Sequence, residues 1–389
     1  MSFFSEIIDR RKSSSYKWDL MEQIYNVSDA SDLLPMWVAD MDFAVPKEVI
    51  EAIENRLSHS VFGYSYVGDD CKKSITGWFE RRHNWSIEKD TILFHQGVVP
   101  AIASIIETFT EPGDSIAVST PVYPPFFNIP KAQGRVVEAC DLVEQNGSYT
   151  YDFAALEETF KRGVKLYILC NPHNPAGVIW SRSQLEQLVQ LCIKYDVYLL
   201  ADEIHADILI DGHQFIATLT VQDADKAKII SCVAPTKTFN LAGIQAAMMV
   251  VPDAELRAQL QQNASAHGQM GLNALASVAV QAAYTHGDRW LDELNVYLAA
   301  NMDYVCHELN AIKGIEVHKP GGTYLLWIDY RGTGLTEPEI MDRLLTVGRL
   351  ALEPGTKYGK AGDGFLRMNV ACPLETVQDG VARFKMALE

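Results

Sequence analysis

The stretch Val197-Tyr198-Leu199-Leu200-Ala201-Asp202-Glu203-Ile204-His205-Ala206-Asp207 passes from an uncharged apolar run straight into acidic and imidazole side chains. Its first half suits a strand covered on both faces, which reads as a near-continuous apolar run. A carboxylate at the end of a buried strand needs a partner, because an unpaired charge is costly to bury. For Asp202 a protonated heterocyclic nitrogen would be one. A divalent metal held by Asp202, Glu203, His205 and Asp207 would be another, since their oxygen and nitrogen donors suffice. Side chains alternate in direction along an extended segment, and that alternation argues against the metal.

The same kind of run recurs at 91–95, 115–119, 135–140, 165–170, 228–233 and 246–251. With 197–201 these predict the strands of one sheet. Helical patterns lie between them. In 181–195, Leu185, Leu188, Val189, Leu191 and Cys192 form a stripe at helical spacing behind a serine cap, Ser181 or Ser183. Alternating strand and helix predicts an α/β fold, with a large domain built on a mainly parallel seven-stranded sheet. A long helical pattern at 288–312 then leads to a smaller α+β domain. Its strands are expected at 323–329, 351–353 and 365–369, under helices at 337–346 and 374–388. The expected division is 47–286 for the large domain, and 1–46 with 287–389 for the small one.

Ligands of such sheets bind beyond the carboxyl ends of the strands. Other post-strand segments also carry chemistry. Gly97-Val98-Val99-Pro100 leads into the helical run 101–109. Free N–H groups at a helix start suit a phosphate, although a plain turn would also explain the glycine. Asn171-Pro172-His173-Asn174-Pro175-Ala176-Gly177 follows 166–170. Its Asn-Pro steps disfavour helix and hold the Asn174 amide at a strand end, or simply make a rigid connection. Ala234-Pro235-Thr236-Lys237-Thr238-Phe239-Asn240-Leu241-Ala242-Gly243 sets a lysine among small and apolar residues. Burial and nearby cations lower a lysine pKa from about 10.4 and expose a nucleophilic amine. An exposed loop lysine is the plainer alternative.

In combination, the order Gly turn, Asn-Pro turn, Asp, Lys resembles the fold-type I enzymes that use pyridoxal 5′-phosphate (PLP), the aspartate aminotransferase-like superfamily. Within it, Trp37-Val38-Ala39-Asp40-Met41-Asp42-Phe43 and Asp202-Glu203-Ile204-His205 are similar to the MalY/PatB-like cystathionine β-lyase (C–S lyase) group. Gly63-Tyr64-Ser65, Tyr123-Pro124-Pro125-Phe126 and Arg367-Met368-Asn369-Val370-Ala371-Cys372-Pro373 add to the match. The resemblance implies that Lys237 carries PLP covalently and moves the substrate Cα proton, while Asp202 keeps the ring nitrogen protonated. It implies Asn174 on the phenolic oxygen and Tyr123 stacked on the ring. The N–H groups of Val98 and Val99, after Gly97, would hold the phosphate with the Thr236 hydroxyl. Tyr64 would reach a phosphate across a homodimer interface. Arg367 would clamp the substrate carboxylate beside Asn174 and Tyr123. Many aminotransferases place an arginine eight residues after the lysine and a tyrosine three after the aspartate. This chain has Gln245 and His205 there, as C–S lyases do. His205 is then a cofactor contact or a satisfied buried histidine.

The implied reaction is β-elimination from S-substituted L-cysteines such as cystathionine, giving pyruvate, ammonia and a thiol. One alternative is an aminotransferase of the same fold. Another, from a different class, is a regulator that binds a transcription factor. A net charge of −17 argues against nucleic acid and anionic membrane surfaces. The 7 cysteines, without a C-x-x-C pair, read as reduced thiols and not as a disulfide framework or zinc site. No apolar run approaches about 18 residues, and the N-terminus lacks a signal-peptide core. The expectation is a cytoplasmic enzyme.

Overall fold

The computed structural model describes residues 3–389. Its central sheet contains β1 (Ile92–His95), β2 (Ser115–Thr120), β3 (Val136–Asp141), β4 (Leu166–Cys170), β5 (Tyr198–Asp202), β6 (Ile229–Val233) and β7 (Ala247–Val250). The order across this 7-stranded sheet is β1-β7-β6-β5-β4-β2-β3. Strands β2 to β6 pair in parallel, whereas β7 runs antiparallel to both its neighbours. All the strands expected for the large sheet are therefore present.

The pleat explains why β4 reads as unbroken hydrophobicity. Leu166, Ile168 and Cys170 face one core, shared with the helix Val98–Phe109. Tyr167 and Leu169 face the other, shared with the helix Arg182–Tyr195. Successive side chains of a strand point to opposite faces, so a doubly covered strand needs apolar residues at every position. Each such side chain contributes about 1.5–3 kcal/mol by leaving water. Ser181, not Ser183, caps the second helix. Its hydroxyl accepts from the Gln184 N–H (3.3 Å), while Gln184 Oε1 accepts from the Ser181 N–H (2.9 Å). That capping box is worth about 1 kcal/mol.

A second sheet holds β8 (Glu316–Val317), β9 (Leu325–Asp329), β10 (Glu353–Pro354) and β11 (Phe365–Asn369), antiparallel in the order β8-β9-β11-β10. The helices Asp288–Leu309 and Leu374–Leu388 share its core. The strand expected at 351–353 is instead two short pieces serving different partners. Leu350–Ala351 pairs in parallel with Leu34–Pro35, and Glu353–Pro354 joins the edge of the small sheet. Pro354 has no N–H to extend the ladder, which suits an edge. The helix expected to reach 346 stops at Arg343 and widens into a π turn, Leu344–Gly348. Strand β8 escaped expectation because so short a strand shows no alternation.

Beyond Leu34–Pro35 the chain continues as a strap, 36–43, from the small sheet to the loop around Asn240. Among the described residues, no helix is long and apolar enough to cross a membrane.

Candidate active site

A cavity of about 380 Å³ opens between the carboxyl ends of the parallel strands, the strap and the small sheet. Tyr123, Asn174, Asp202, His205, Lys237 and Arg367 all line it. Asp202 is the last residue of β5, Asn174 lies in the turn after β4, and Lys237 sits in the short helix Pro235–Thr238 after β6. Arg367 comes from the middle of β11.

Asp202 is 3% exposed. Among the described residues its carboxylate meets one donor, the Ile204 N–H at 3.4 Å. Burial pushes its pKa up to about 7. The neighbouring acids turn elsewhere. Glu203 accepts from the Ser231 hydroxyl (2.5 Å), the Thr218 hydroxyl (2.7 Å) and N–H (2.9 Å), and Asn171 Nδ2 (3.1 Å). Asp207 accepts from Thr238 Oγ1 (2.6 Å) and Trp78 Nε1 (3.0 Å) and pairs with His83 Nε2 (2.6 Å). The acidic stretch therefore disperses to separate partners, because the chain leaves β5 in tight turns: the Ala206 N–H donates to the Glu203 carbonyl (3.1 Å) and the Ile208 N–H to the His205 carbonyl (3.0 Å). Among the described residues, no group of His, Cys, Asp and Glu is arranged to hold a metal.

His205 meets Tyr324 edge-on, with ring centroids 5.9 Å apart, and its Nδ1 has no partner among the described residues. Burial, with the cations of Lys237 and Arg367, holds its pKa well below the usual histidine range, so the ring is neutral. Lys237 Nζ donates to the Ala39 carbonyl at 2.6 Å. Burial and the Arg367 cation bring its pKa down to about 8, against the pull of Asp40 and Asp202. Burial pushes the Tyr123 phenol up to about 12, so it stays neutral.

Arg367 is tethered on three sides. Nη1 donates to Asn174 Oδ1 (3.1 Å), Nη2 donates to the Trp37 carbonyl (2.7 Å), and Nη2 pairs with Glu353 Oε2 (3.2 Å). Its guanidinium lies 5.1 Å from the Tyr358 ring centroid. Its Nε has no partner among the described residues. Because Asn174 spends its Oδ1 on Arg367, its Nδ2 donors are left for a ligand.

Gly97, Val98, Val99 and Thr236 do not line the cavity. Gly97 opens the helix Val98–Phe109, which carries no side-chain cap, and Val98 shares a core with Tyr123, Ile204 and Ala234. The uncapped helix start thus lies on the same side of the sheet as Asp202. Tyr64 is not brought to Lys237 of its own chain. It is 97% exposed and borders a separate depression with Phe62, Gln96, Met270 and Leu272.

These groups fit PLP. Asp202 is a buried acceptor short of donors, Asn174 offers amide hydrogens, the helix start offers free N–H groups, and Lys237 offers an amine poised to lose its proton. Sequence reasoning missed Trp37, Ala39, Tyr324 and Glu353. The first two act through backbone carbonyls, which carry no side-chain signal, although their segment already stood out by resemblance.

Residues 31–384 match the family model for aminotransferase class I and II. The chain is 41% identical over 390 residues to cystathionine β-lyase PatB of Bacillus subtilis (strain 168), covering 99% of both chains. It is 31% identical to protein MalY of Escherichia coli (strain K12), covering 97% of each. The crystal structure of cystalysin from Treponema denticola, which contains a pyridoxal 5′-phosphate cofactor, superposes with a TM-score of 0.95 at 32% identity, covering 100% of this chain and 99% of that one. The chain belongs to the aminotransferase class I and II family.

Proposed function

We propose that this chain is a PLP-dependent C–S lyase of the cystathionine β-lyase type, which releases a thiol from S-substituted L-cysteines such as cystathionine. The observation that carries this reading is one cavity joining Lys237, a donor-poor Asp202 and an Arg367 with an idle Nε. The full-length similarity to a relative named cystathionine β-lyase supports the choice of reaction.

PLP, when bound, supplies the electron sink that lets the substrate Cα–H bond break. Lys237, with a pKa of about 8, presents a usable fraction of neutral amine near pH 7. It is suited to hold the cofactor and, once released, to take the Cα proton as a positioned base. The Ala39 carbonyl gives that freed amine a fixed resting place. Asp202 regains its charge when a protonated ring nitrogen faces it, because an opposite charge favours the ionised form. Asn174 would donate to the cofactor's phenolic oxygen and Tyr123 would flank its ring. Gly97, Val98 and Val99 with Thr236 would hold the phosphate at a helix start, where N–H groups and the helix dipole favour an anion.

Arg367 takes the substrate α-carboxylate with its remaining N–H groups, and its planar fork fixes the amino acid's orientation. His205 stays neutral and serves as a wall of the pocket. Expulsion of thiolate from Cβ leaves a three-carbon product that hydrolyses to pyruvate and ammonia. The exposed Val61, Phe62, Tyr64 and Tyr66 support a homodimer in which Tyr64 completes the phosphate site of a second copy. The free cysteines support a cytoplasmic location.

PLP-loaded wild-type and Lys237→Ala proteins, given L-cystathionine without a keto acid, test the reading. Pyruvate and free thiol from the wild type alone are the expected result. An absorbance change with neither product points to amino transfer instead, because that reaction needs a keto acid to turn over.

A further inference from the structure

The carbonyls of the strap alternate in what they hold. On one side, the Trp37 carbonyl accepts from Arg367 Nη2 (2.7 Å), and the Ala39 carbonyl accepts from Lys237 Nζ (2.6 Å) and the Tyr324 hydroxyl (2.9 Å). Farther along that side, the Met41 and Phe43 carbonyls accept from Asn240 Nδ2 (2.9 and 3.0 Å). On the other side, the Met36 carbonyl accepts from the Asn369 N–H (2.8 Å), and the Val38 and Asp40 carbonyls both accept from Asn369 Nδ2 (2.6 and 2.5 Å). A stretched chain turns successive residues to opposite sides. The strap keeps that alternation even though it bends where the Asp40 N–H donates to the Val38 carbonyl (2.9 Å).

Asn369 is 1% exposed, and its Oδ1 accepts from the Ala371 N–H (2.8 Å). That bond fixes which way the amide faces, so both Nδ2 hydrogens are committed to the strap. The side chain does not line the cavity.

We propose that Asn369 is a positioning residue of the active site. It sets the register of the strap so that the Trp37 and Ala39 carbonyls present Arg367 and the Lys237 amine to one substrate at a fixed separation. The inference rests on Lys237 and Arg367 being the working pair. The other end of the strap is held independently. Arg10 grips Asp40 through Nη1 (2.9 Å) and Nη2 (2.7 Å), and its Nη1 also donates to the Met41 carbonyl (3.0 Å) and Asp42 (2.7 Å). Lys17 Nζ donates to Asp42 at 2.7 Å. Because one strap holds the carboxylate anchor and the base together, a slip in its register misplaces both. A misplacement of about 1 Å can cost about 10²-fold in rate.

The test compares wild type with Asn369→Ala, Asn369→Asp and Arg10→Gln. The readouts are kcat and KM for pyruvate release from L-cystathionine, PLP capture by unloaded protein followed by absorbance, and the thermal unfolding midpoint. Asn369→Asp keeps the acceptor for Ala371 but turns a second oxygen toward two carbonyls, so it should do no better than alanine. The expected result is a rise in KM and a fall in kcat together, each about tenfold, with PLP capture weakened about tenfold. Arg10→Gln should move the same three quantities in the same direction by a smaller factor. If the Asn369 variants lower only the unfolding midpoint, with kcat, KM and capture within twofold of wild type, the proposal is overturned. Should they fail to fold, Asn369→Ser, which keeps one short side-chain donor toward the strap, decides on the same readouts. Wild type that captures PLP through Lys237 but releases no pyruvate would refute the assigned reaction, while the capture comparison still judges the strap.

Discussion

The segment that begins at the last residue of β5 has a cavity end and a core end, and each carries a buried aspartate. At the cavity end Asp202 meets a single N–H at 3.4 Å. At the core end Asp207 is held by Thr238 and His83 at 2.6 Å and by Trp78 at 3.0 Å. Burial pushes both carboxyls up. For Asp202 the long Ile204 N–H bond and the Lys237 cation offset it only in part, and the pKa rises to about 7. For Asp207 the bonds from His83, Thr238 and Trp78 outweigh it, and the pKa falls below the usual carboxylate value. Burial alone therefore says little about role. A buried acid that lacks donors is waiting for a ligand, whereas one with its lone pairs filled belongs to the architecture.

The sharpest way to break that contrast is Asp202→Asn. Its kcat should fall about 10³-fold, some 4 kcal/mol of transition-state stabilisation, while the unloaded protein loses no stability. Pyruvate release together with urea unfolding of the unloaded protein checks both halves. A variant of full activity would show that Asp202 does not serve the ring nitrogen. Next comes pH. The unfolded chain releases the Asp202 proton near pH 4, but the folded unloaded protein keeps it to about pH 7. Between those values the unfolded state binds fewer protons, so stability falls as pH rises, by up to about 4 kcal/mol across the window, and levels off above it. Asp207 has the opposite sign: its contribution is present above about pH 4 and is lost as pH falls through its lowered pKa. Subtracting the unfolding profile of Asp202→Asn from that of wild type should isolate the slope between pH 4 and 7. A flat difference would mean Asp202 has donors in solution.

The cavity end was legible in the sequence and the core end was not. Asp202, Asn174 and Lys237 each follow an apolar run of strand length, and a parallel sheet brings such positions to one edge. Local reading was therefore enough for the large sheet and for placing these residues at strand ends, and the resemblance assigned their roles. Two partners of Asp207 come from the helix Asp69–His83, 124 and 129 residues earlier in the chain, and the third, Thr238, lies beyond β6, so no local pattern announces them. The opposite wall was hidden for another reason. Trp37 and Ala39 contribute carbonyls that any residue owns, and Glu353 lies in a two-residue edge strand, paired with β11, that is too short to show alternation.

Two smaller effects sharpen the contrast at the core end. Asp207→Asn should cost about 3 kcal/mol of stability, because it leaves His83 and the surrounding donors without their charged partner. Activity per folded molecule should change far less than in Asp202→Asn. Urea midpoints with kcat measured on the same preparations separate the two. A loss of activity as large as that of Asp202→Asn, at wild-type stability, would erase the distinction.

Glu203 offers the finest test, because it lies beside Asp202 yet is donor-rich like Asp207. Its Oε1 accepts from Thr218 twice and from Asn171, while Oε2 is served by the Ser231 hydroxyl at 2.5 Å. Ser231→Ala strips Oε2 of that donor without touching the cavity, since Ser231 is fully buried on β6 and is not among the cavity residues. The remaining oxygen cannot reach water, so the variant should lose about 1–2 kcal/mol of stability. Its kcat and KM should stay within about twofold of wild type, because donor satisfaction at Glu203 supports the β5–β6 pairing and no reacting group. A tenfold fall in kcat at unchanged stability would place Glu203 on the chemical side with Asp202, and donor count would then no longer separate the acids of this segment.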